Sequence, residues 1–129
     1  MKSLMRSNIY EFEEAIIICG TCLCSMQPKG FEELKKYTNN IYEVCLEEIH
    51  MNMVAHKVAS IIRIGKIKKL IFASVDGSPH CVQLHYVANE LKKIMKLDSL
   101  EIKNIVVVDN RLVEISEETI SKAKKLSEI

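Results

Sequence analysis

Three cysteines crowd one short segment of the chain. Cys19, Cys22 and Cys24 occur in the sequence Ile-Cys-Gly-Thr-Cys-Leu-Cys, directly after the apolar run 15–18. Thiolates are soft ligands, and closely spaced cysteines bind zinc or iron–sulfur clusters. Three thiols leave one position of a four-ligand site open, so a fourth ligand must come from elsewhere. Cys19 has an alternative role as a small core residue at the end of a buried strand.

A second group of reactive side chains follows the next apolar run. Cys81 is the candidate fourth ligand, and its place in the first turn of a predicted helix favours the thiolate form. His85 lies four residues further on, on the same helix face. The pair could ligate zinc, or the imidazole could activate Cys81 as a nucleophile; the alternative is a half-exposed helix histidine. The residues that could support these ligands through hydrogen bonds are Asp76, Ser78, His80 and His85.

Two other features have simpler interpretations. Cys45 lies on the apolar face of a predicted helix and is expected to be a core cysteine. The basic run 66–69 is expected to be a solvated end, although it could dock an acidic redox partner protein.

Composition limits the classes of protein that this chain can belong to. Its 129 residues predict one domain, 1–129, and a formal net charge of +1 gives no support for nucleic-acid binding. No apolar run approaches the roughly 20 residues of a membrane-spanning helix. We therefore expect a cytoplasmic protein without membrane insertion, in which the five cysteines stay reduced and serve metal or redox chemistry. The composition does not predict an oligomeric state.

The first half of the chain is predicted to hold one strand and two helices. Residues 14–19 form an apolar run typical of a buried strand, and a loop is expected over 21–30. A short helix is predicted over 31–38. A longer helix is predicted over 41–64, with a broad apolar face and Gly65 as its C-terminal cap.

The second half is predicted to complete an α/β fold. A buried strand over 68–75 precedes a helix over 79–95, and a third strand covers 104–108. Asp109 and Asn110 form a two-residue turn into a hairpin strand over 112–115, and Ser116 begins a final helix. The resulting order, β-α-α-β-α-β-β-α, predicts a small, mostly parallel sheet with flanking helices and a C-terminal β-hairpin plus helix.

This architecture brings the two groups of reactive residues together. Ligands of open α/β sheets bind at the carboxyl ends of the parallel strands. The segments that hold Cys22 and Cys81 each follow such an end, so neighbouring strands would place them at one crevice. A nucleotide site is disfavoured, because the sequence has neither a Gly-x-Gly-x-x-Gly motif nor a P-loop lysine.

The layout resembles an iron–sulfur family. One predicted strand leads into Cys19 and Cys22, and the next leads into Cys81. This layout resembles the cluster-bearing domain of nickel–iron hydrogenase small subunits and of the related subunit of NADH:quinone oxidoreductases. The resemblance covers about residues 14–86 and implies a flavodoxin-like sheet with a 4Fe-4S cluster that relays electrons. This chain departs from the family after its third strand, where Asp109 and Asn110 replace a cysteine loop, so Cys24 would supply the missing ligand.

We therefore expect a small metal-binding protein, with electron transfer through an iron–sulfur cluster (4Fe-4S) as its function. The expected ligands are Cys19, Cys22, Cys24 and Cys81. Zinc in a structural interaction module is one alternative. The other is a thiol-dependent enzyme or a carrier of persulfide sulfur, with Cys81 or Cys22 as the reactive residue; the sequence leaves open whether the protein is an enzyme.

Overall fold

A six-stranded sheet forms the centre of the protein. The computed structural model describes residues 1–77, 81–97, 99–116 and 118–120. The strands are β1 (Lys2–Ser3), β2 (Glu14–Gly20), β3 (Ile41–Val44), β4 (Ile67–Val75), β5 (Glu101–Val108) and β6 (Arg111–Ile115). They lie in the order β1-β3-β2-β4-β5-β6, and every neighbouring pair is parallel except β5 and β6. The predicted α/β class with a mostly parallel sheet is thus confirmed.

Helices cover both faces of the sheet. They are α1 (Leu23–Met26), α2 (Pro28–Leu34), α3 (Met51–Ile64) and α4 (Val82–Ile94), and residues 118–120 are also helical. Helices α3 and α4 pack on the face formed by Ile16, Ile18 and Phe72. Helices α1 and α2 pack on the opposite face, formed by Ile17, Cys19, Ile71 and other residues. Because successive side chains of a strand point to opposite faces, one apolar strand serves two cores.

The predicted helix over 41–64 is wrong in its first ten residues. Residues Ile41–Val44 form β3, which pairs with β2 through contacts such as Ile17 with Ile41. The helix begins only at Met51, where the Nδ1 of His50 accepts a hydrogen bond from the backbone N–H of Asn52 at 3.1 Å. β-Branched and aromatic residues fit a buried strand, and pairing with β2 overrides the helical spacing of their apolar side chains.

The predicted loop over 21–30 is also wrong. It contains α1 and the first three residues of α2, which begins at Pro28 and ends at Leu34 rather than covering 31–38. Proline is favoured in the first helical turn because it has no N–H that needs a partner there. The two-residue strand β1 was not predicted, and the order of elements therefore differs from the expected β-α-α-β-α-β-β-α.

The remaining boundaries agree closely with the sequence patterns. Gly65 ends α3 in the left-handed conformation, with a φ of 82°. Asp109 and Asn110 also have positive φ, as the turn of an antiparallel hairpin requires, and β5 pairs with β6 as predicted. The Oγ of Ser116 accepts a hydrogen bond from the backbone N–H of Thr119 at 3.2 Å, so Ser116 acts as the expected cap. The predicted start of α4 at Pro79 lies outside the described residues, as does the final helix beyond residue 120.

None of the helices in the described part of the chain is both long enough and apolar enough to cross a membrane.

Candidate functional site

Three adjacent parallel strands each lead to a cysteine at the same edge of the sheet. Strand β2 is followed by Cys22, β3 by Cys45, and β4 by the segment that ends at Cys81. These three cysteines line one cavity of about 50 Å³. Its other walls are Gly20, Thr21, Val44, Leu46, Glu47 and Leu84. The carboxyl edge of the sheet therefore brings together thiols that are far apart in the sequence.

Cys22 and Cys81 interact directly. Burial raises the pKa of the half-buried Cys22 thiol, and its proximity to Cys81 and their mutual hydrogen bond raise that pKa further. Both influences favour the protonated form of the Cys22 thiol. Cys81 itself is only 6% exposed. The two cysteines, which the sequence predicts to face one crevice, thus form a close thiol pair.

The Cys81 sulfur occupies the space that a side chain at residue 20 would fill. A Cβ at residue 20 would lie 2.7 Å from the Sγ of Cys81, which is closer than real Cβ atoms approach other atoms. Any larger residue would therefore displace the Cys81 sulfur from its present position. A close approach of this kind is a specific reason for glycine at the end of a strand.

Cys19 occupies a different environment from Cys81. It is fully buried in the core on the α1 and α2 face of the sheet, and its Sγ lies 3.5 Å from the Sδ of Met1. Helix α4, which Cys81 precedes, packs on the opposite face. Burial, with a smaller contribution from Glu43, raises the pKa of Cys19 to about 12. Cys19 therefore has the surroundings of a core cysteine, which is the alternative that the sequence left open for it.

Cys24 is the most accessible cysteine. It lies in α1 and is exposed, whereas Cys22 immediately precedes that helix and is half-buried. Its side chain does not line the cavity that Cys22, Cys45 and Cys81 share. The four expected ligands are therefore distributed over the core, the cavity and the surface.

His85 faces a different set of partners from the one expected. Its Nε2 lies 2.7 Å from the Oγ of Ser74, and its Nδ1 lies 2.9 Å from the Oδ1 of Asn104. All three side chains are buried. Burial lowers the pKa of His85, an effect that the hydrogen bond to Asn104 partly offsets. Because both ring nitrogens are engaged, His85 is not placed to ligate a metal beside Cys81 or to activate its thiol.

Of the other three expected supporting residues, the structure describes only Asp76. Ser78 and His80 lie outside the described residues. Asp76 is exposed, its backbone N–H donates to the carbonyl of Val107 at 3.1 Å, and it lines a separate pocket beside β5 and β6. The basic run 66–69 lies at the amino end of β4, the end of the strand opposite the cysteines, and Lys69 pairs there with Glu101 at 3.9 Å.

Sequence reasoning missed three residues near this edge. Cys45 was placed in a helix core, and the β-branched pattern of Ile41–Val44 was the signal for a strand that ends beside it. Ser74 and Asn104 were missed because each lies within a buried apolar strand. A polar residue in such a strand needs a partner, and that requirement was the available signal.

One family model matches most of the chain. It is described as a Rossmann-like domain and covers residues 12–128. This chain belongs to that family. No curated protein and no solved structure shows a significant match to the chain.

The cavity has the position that ligand sites occupy in Rossmann-like sheets. The strand order reverses between β2 and β4, since β3 follows β2 in sequence but lies on its other side. Such a switch point opens a crevice at the carboxyl ends of the two strands. Cys22 follows β2 and Cys81 follows β4, so the thiol pair bridges the switch point of this Rossmann-like domain.

A metal ion or cluster would need three or four ligands around one point. Within the residues that the structure describes, no three His, Cys, Asp or Glu side chains form a group that could hold a metal ion. Cys22 and Cys81 form a pair, Cys45 lines the same cavity, and Cys19 belongs to the other face. Within the described residues, the four expected ligands therefore do not converge on one metal position.

Proposed function

We propose that this protein is a thiol-dependent redox protein in which Cys22 and Cys81 form a reversible dithiol–disulfide pair. The observation that carries the proposal is that Cys22 and Cys81 line one small cavity across the switch point, where their thiols interact. Two neighbouring thiols in one small cavity can close to a disulfide, whose sulfurs lie about 2 Å apart, by a local movement of their side chains. The reducing cytoplasm, where most disulfides are transient and catalytic, is the location that we propose with it.

The two cysteines have different roles in the proposed exchange. Cys22 is half-buried whereas Cys81 is only 6% exposed, so Cys22 is assigned to attack a disulfide of a partner protein. Cys22 loses its proton to solvent, forms a mixed disulfide with one partner sulfur and releases the other as a thiolate. Cys81 then passes its proton to that thiolate, attacks the Cys22 sulfur and releases the second partner thiolate, which takes up a proton from solvent. The products are the Cys22–Cys81 disulfide and the reduced partner with two sulfhydryl groups, so the pair gives two electrons to the partner.

Mapping of the disulfide tests this proposal. The reduced full-length protein is equilibrated with oxidised glutathione, its remaining thiols are alkylated, and peptides are identified by mass spectrometry. We expect a Cys22–Cys81 disulfide in the wild type and in the control variant Cys24→Ser. The Cys81→Ser variant is expected to retain a mixed disulfide with glutathione on Cys22. Oxidation that leaves Cys22 and Cys81 free while other cysteines pair would contradict the proposal.

A second candidate function is iron–sulfur electron transfer, as the resemblance implies. One observation favours it: three adjacent strand ends bring Cys22, Cys45 and Cys81 to one cavity. In this candidate Cys45 replaces Cys19 as a ligand. The side chains of Cys22, Cys45 and Cys81 would have to move toward one another to hold the cluster. Zinc is the corresponding structural alternative.

Anaerobic purification distinguishes the two candidates. A cluster predicts a brown protein with equal iron and acid-labile sulfide, and the colour should disappear in both Cys22→Ser and Cys45→Ser. The dithiol predicts a colourless protein that forms the Cys22–Cys81 disulfide even when Cys45 is replaced by Ser. Stoichiometric zinc in the same preparation would identify a structural metal site instead.

A further inference from the structure

A second cavity lies on the other side of β4 from the cysteines. Its volume is about 330 Å³, within the range of small-molecule sites, roughly 300–1,000 Å³. The walls are mostly apolar and come from β5, β6 and the helical residues that follow, among them Val106, Val113, Ile115 and Ile120. The polar side chains of Ser74, Asp76, His85 and Thr119 belong to the same lining, and the hydroxyl of Thr119 already pairs with that of Ser116 at 3.0 Å. A mostly apolar cavity with a few polar groups is the usual composition of a ligand pocket.

Ser74, His85 and Asn104 form a chain of hydrogen bonds in which each donor and acceptor can be assigned. The Oδ1 of Asn104 can only accept, so the Nδ1 of His85 carries the hydrogen and donates across the 2.9 Å contact. The pKa of His85 is lowered by burial, which favours the neutral ring. The Nε2 of a neutral ring with a protonated Nδ1 can only accept, and Ser74 therefore donates its hydroxyl hydrogen to His85 across 2.7 Å.

This direction determines what Ser74 can offer to a ligand. A hydroxyl has one donor hydrogen and two acceptor lone pairs. With the hydrogen committed to His85, the Oγ of Ser74 can act toward the cavity only as an acceptor. Asp76, which also lines the cavity, adds a carboxylate and disfavours an anionic ligand there.

We infer that this cavity binds a small, uncharged and largely apolar molecule that carries a hydrogen-bond donor, such as an alcohol. The apolar part of the ligand contacts the valine and isoleucine walls, and its hydroxyl donates to the Oγ of Ser74. Asn104 acts through His85: it fixes the tautomer that keeps Ser74 an acceptor. The inference does not depend on the cysteines or on the function proposed for them.

Two probes of the same shape test the donor requirement. Hexanol can donate a hydrogen bond, whereas pentyl methyl ether has the same number of heavy atoms and can only accept. Binding to the full-length protein is followed by the methyl NMR signals of Val106, Val113 and Ile115. We expect saturable shifts with hexanol and about five-fold weaker binding of the ether, as the loss of one hydrogen bond predicts. Equal affinities, or the absence of saturable shifts with hexanol, would overturn the inference.

Variants connect the preference to Ser74. Ser74→Ala should abolish the preference for hexanol over the ether, while Ser60→Ala, the same change on α3 outside the cavity, should retain it. Val113 is 45% exposed on β6, so Val113→Trp can be accommodated from the surface and should block both probes. This second variant keeps the test decisive if Ser74→Ala does not fold. A retained preference in Ser74→Ala, or unchanged binding in Val113→Trp, contradicts the inference.

Discussion

The Sγ of Cys81 packs directly against the backbone of Gly20, where a Cβ would stand only 2.7 Å from the sulfur. The contact joins the end of β2 to the segment that precedes α4, and it holds the sulfur beside Cys22. A residue without reactive atoms thereby determines the geometry of the thiol pair.

The Gly20→Ala variant tests this contact. The added methyl group must displace the Cys81 sulfur, so we expect the free energy of unfolding to fall by about 1–3 kcal/mol, as for other overpacked sites. We also expect a lower yield of the Cys22–Cys81 disulfide at a given glutathione ratio. Chemical denaturation and disulfide mapping measure the two effects.

A double-mutant cycle provides the control for that experiment. In the Cys81→Ala background the sulfur is absent, and Gly20→Ala should then cost less stability than it does in the wild type. If the cost is the same in both backgrounds, the contact between Gly20 and Cys81 is not the source of the effect.

The five cysteines should differ widely in their rates of alkylation. Cys24 is exposed and should react first with iodoacetamide, whereas Cys19 is fully buried with a pKa raised to about 12 and should react last. The rate at each position is followed by peptide mass spectrometry under native conditions. In denaturant all five should react at similar rates, and a fast native reaction at Cys19 would contradict its buried position.

The parts of the fold that were predictable are those with a purely local signal. The apolar runs gave β2 and β4, and the Asp109–Asn110 turn gave the hairpin, because positive φ at both positions suits these residue types. Strand β3 was not predictable in the same way. Its apolar spacing also fits a helix, and only pairing with β2, a contact between distant segments, decides between them.

The candidate site was predictable only in part for the same reason. Convergence of Cys22 and Cys81 followed from the strand-end rule, but the place of Cys45 depended on recognising β3. The partner of His85 depended on register: Asn104 pairs with Phe72, two residues from Ser74 on the same face of the sheet. No local sequence pattern carries that information.

Asn110 should stabilise the protein through both its backbone and its side chain. Its φ is 61°, and its Oδ1 accepts hydrogen bonds from the backbone N–H groups of Lys29 and Gly30, each at 3.2 Å. Asn110→Gly keeps the positive φ and loses these bonds, so we expect a loss of about 1–2 kcal/mol. Asn110→Ala adds the penalty for an alanine in the left-handed region, about 1 kcal/mol more.

The neighbouring turn residue provides the control for these variants. Asp109 also has a positive φ, of 49°, but it is exposed. Asp109→Gly should change the free energy of unfolding by less than about 0.5 kcal/mol, as is usual for surface positions. Equal stability of Asn110→Gly and the wild type in chemical denaturation would show that the bonds to α2 contribute nothing.

His85 should make the stability of the protein depend on pH. Burial lowers its pKa from the ordinary value of 6.5, so the unfolded chain binds a proton at a higher pH than the folded protein does. The stability associated with neutral His85 is therefore fully present above about pH 6.5 and decreases as the pH falls from there through the lowered pKa of the folded state. Urea denaturation at a series of pH values measures this slope.

His85→Gln should reduce the slope below pH 6.5, whereas His56→Gln, on the exposed side of α3, should leave it unchanged. A slope that persists in His85→Gln would show that another group titrates in this range and that the Ser74–His85–Asn104 chain is not its cause.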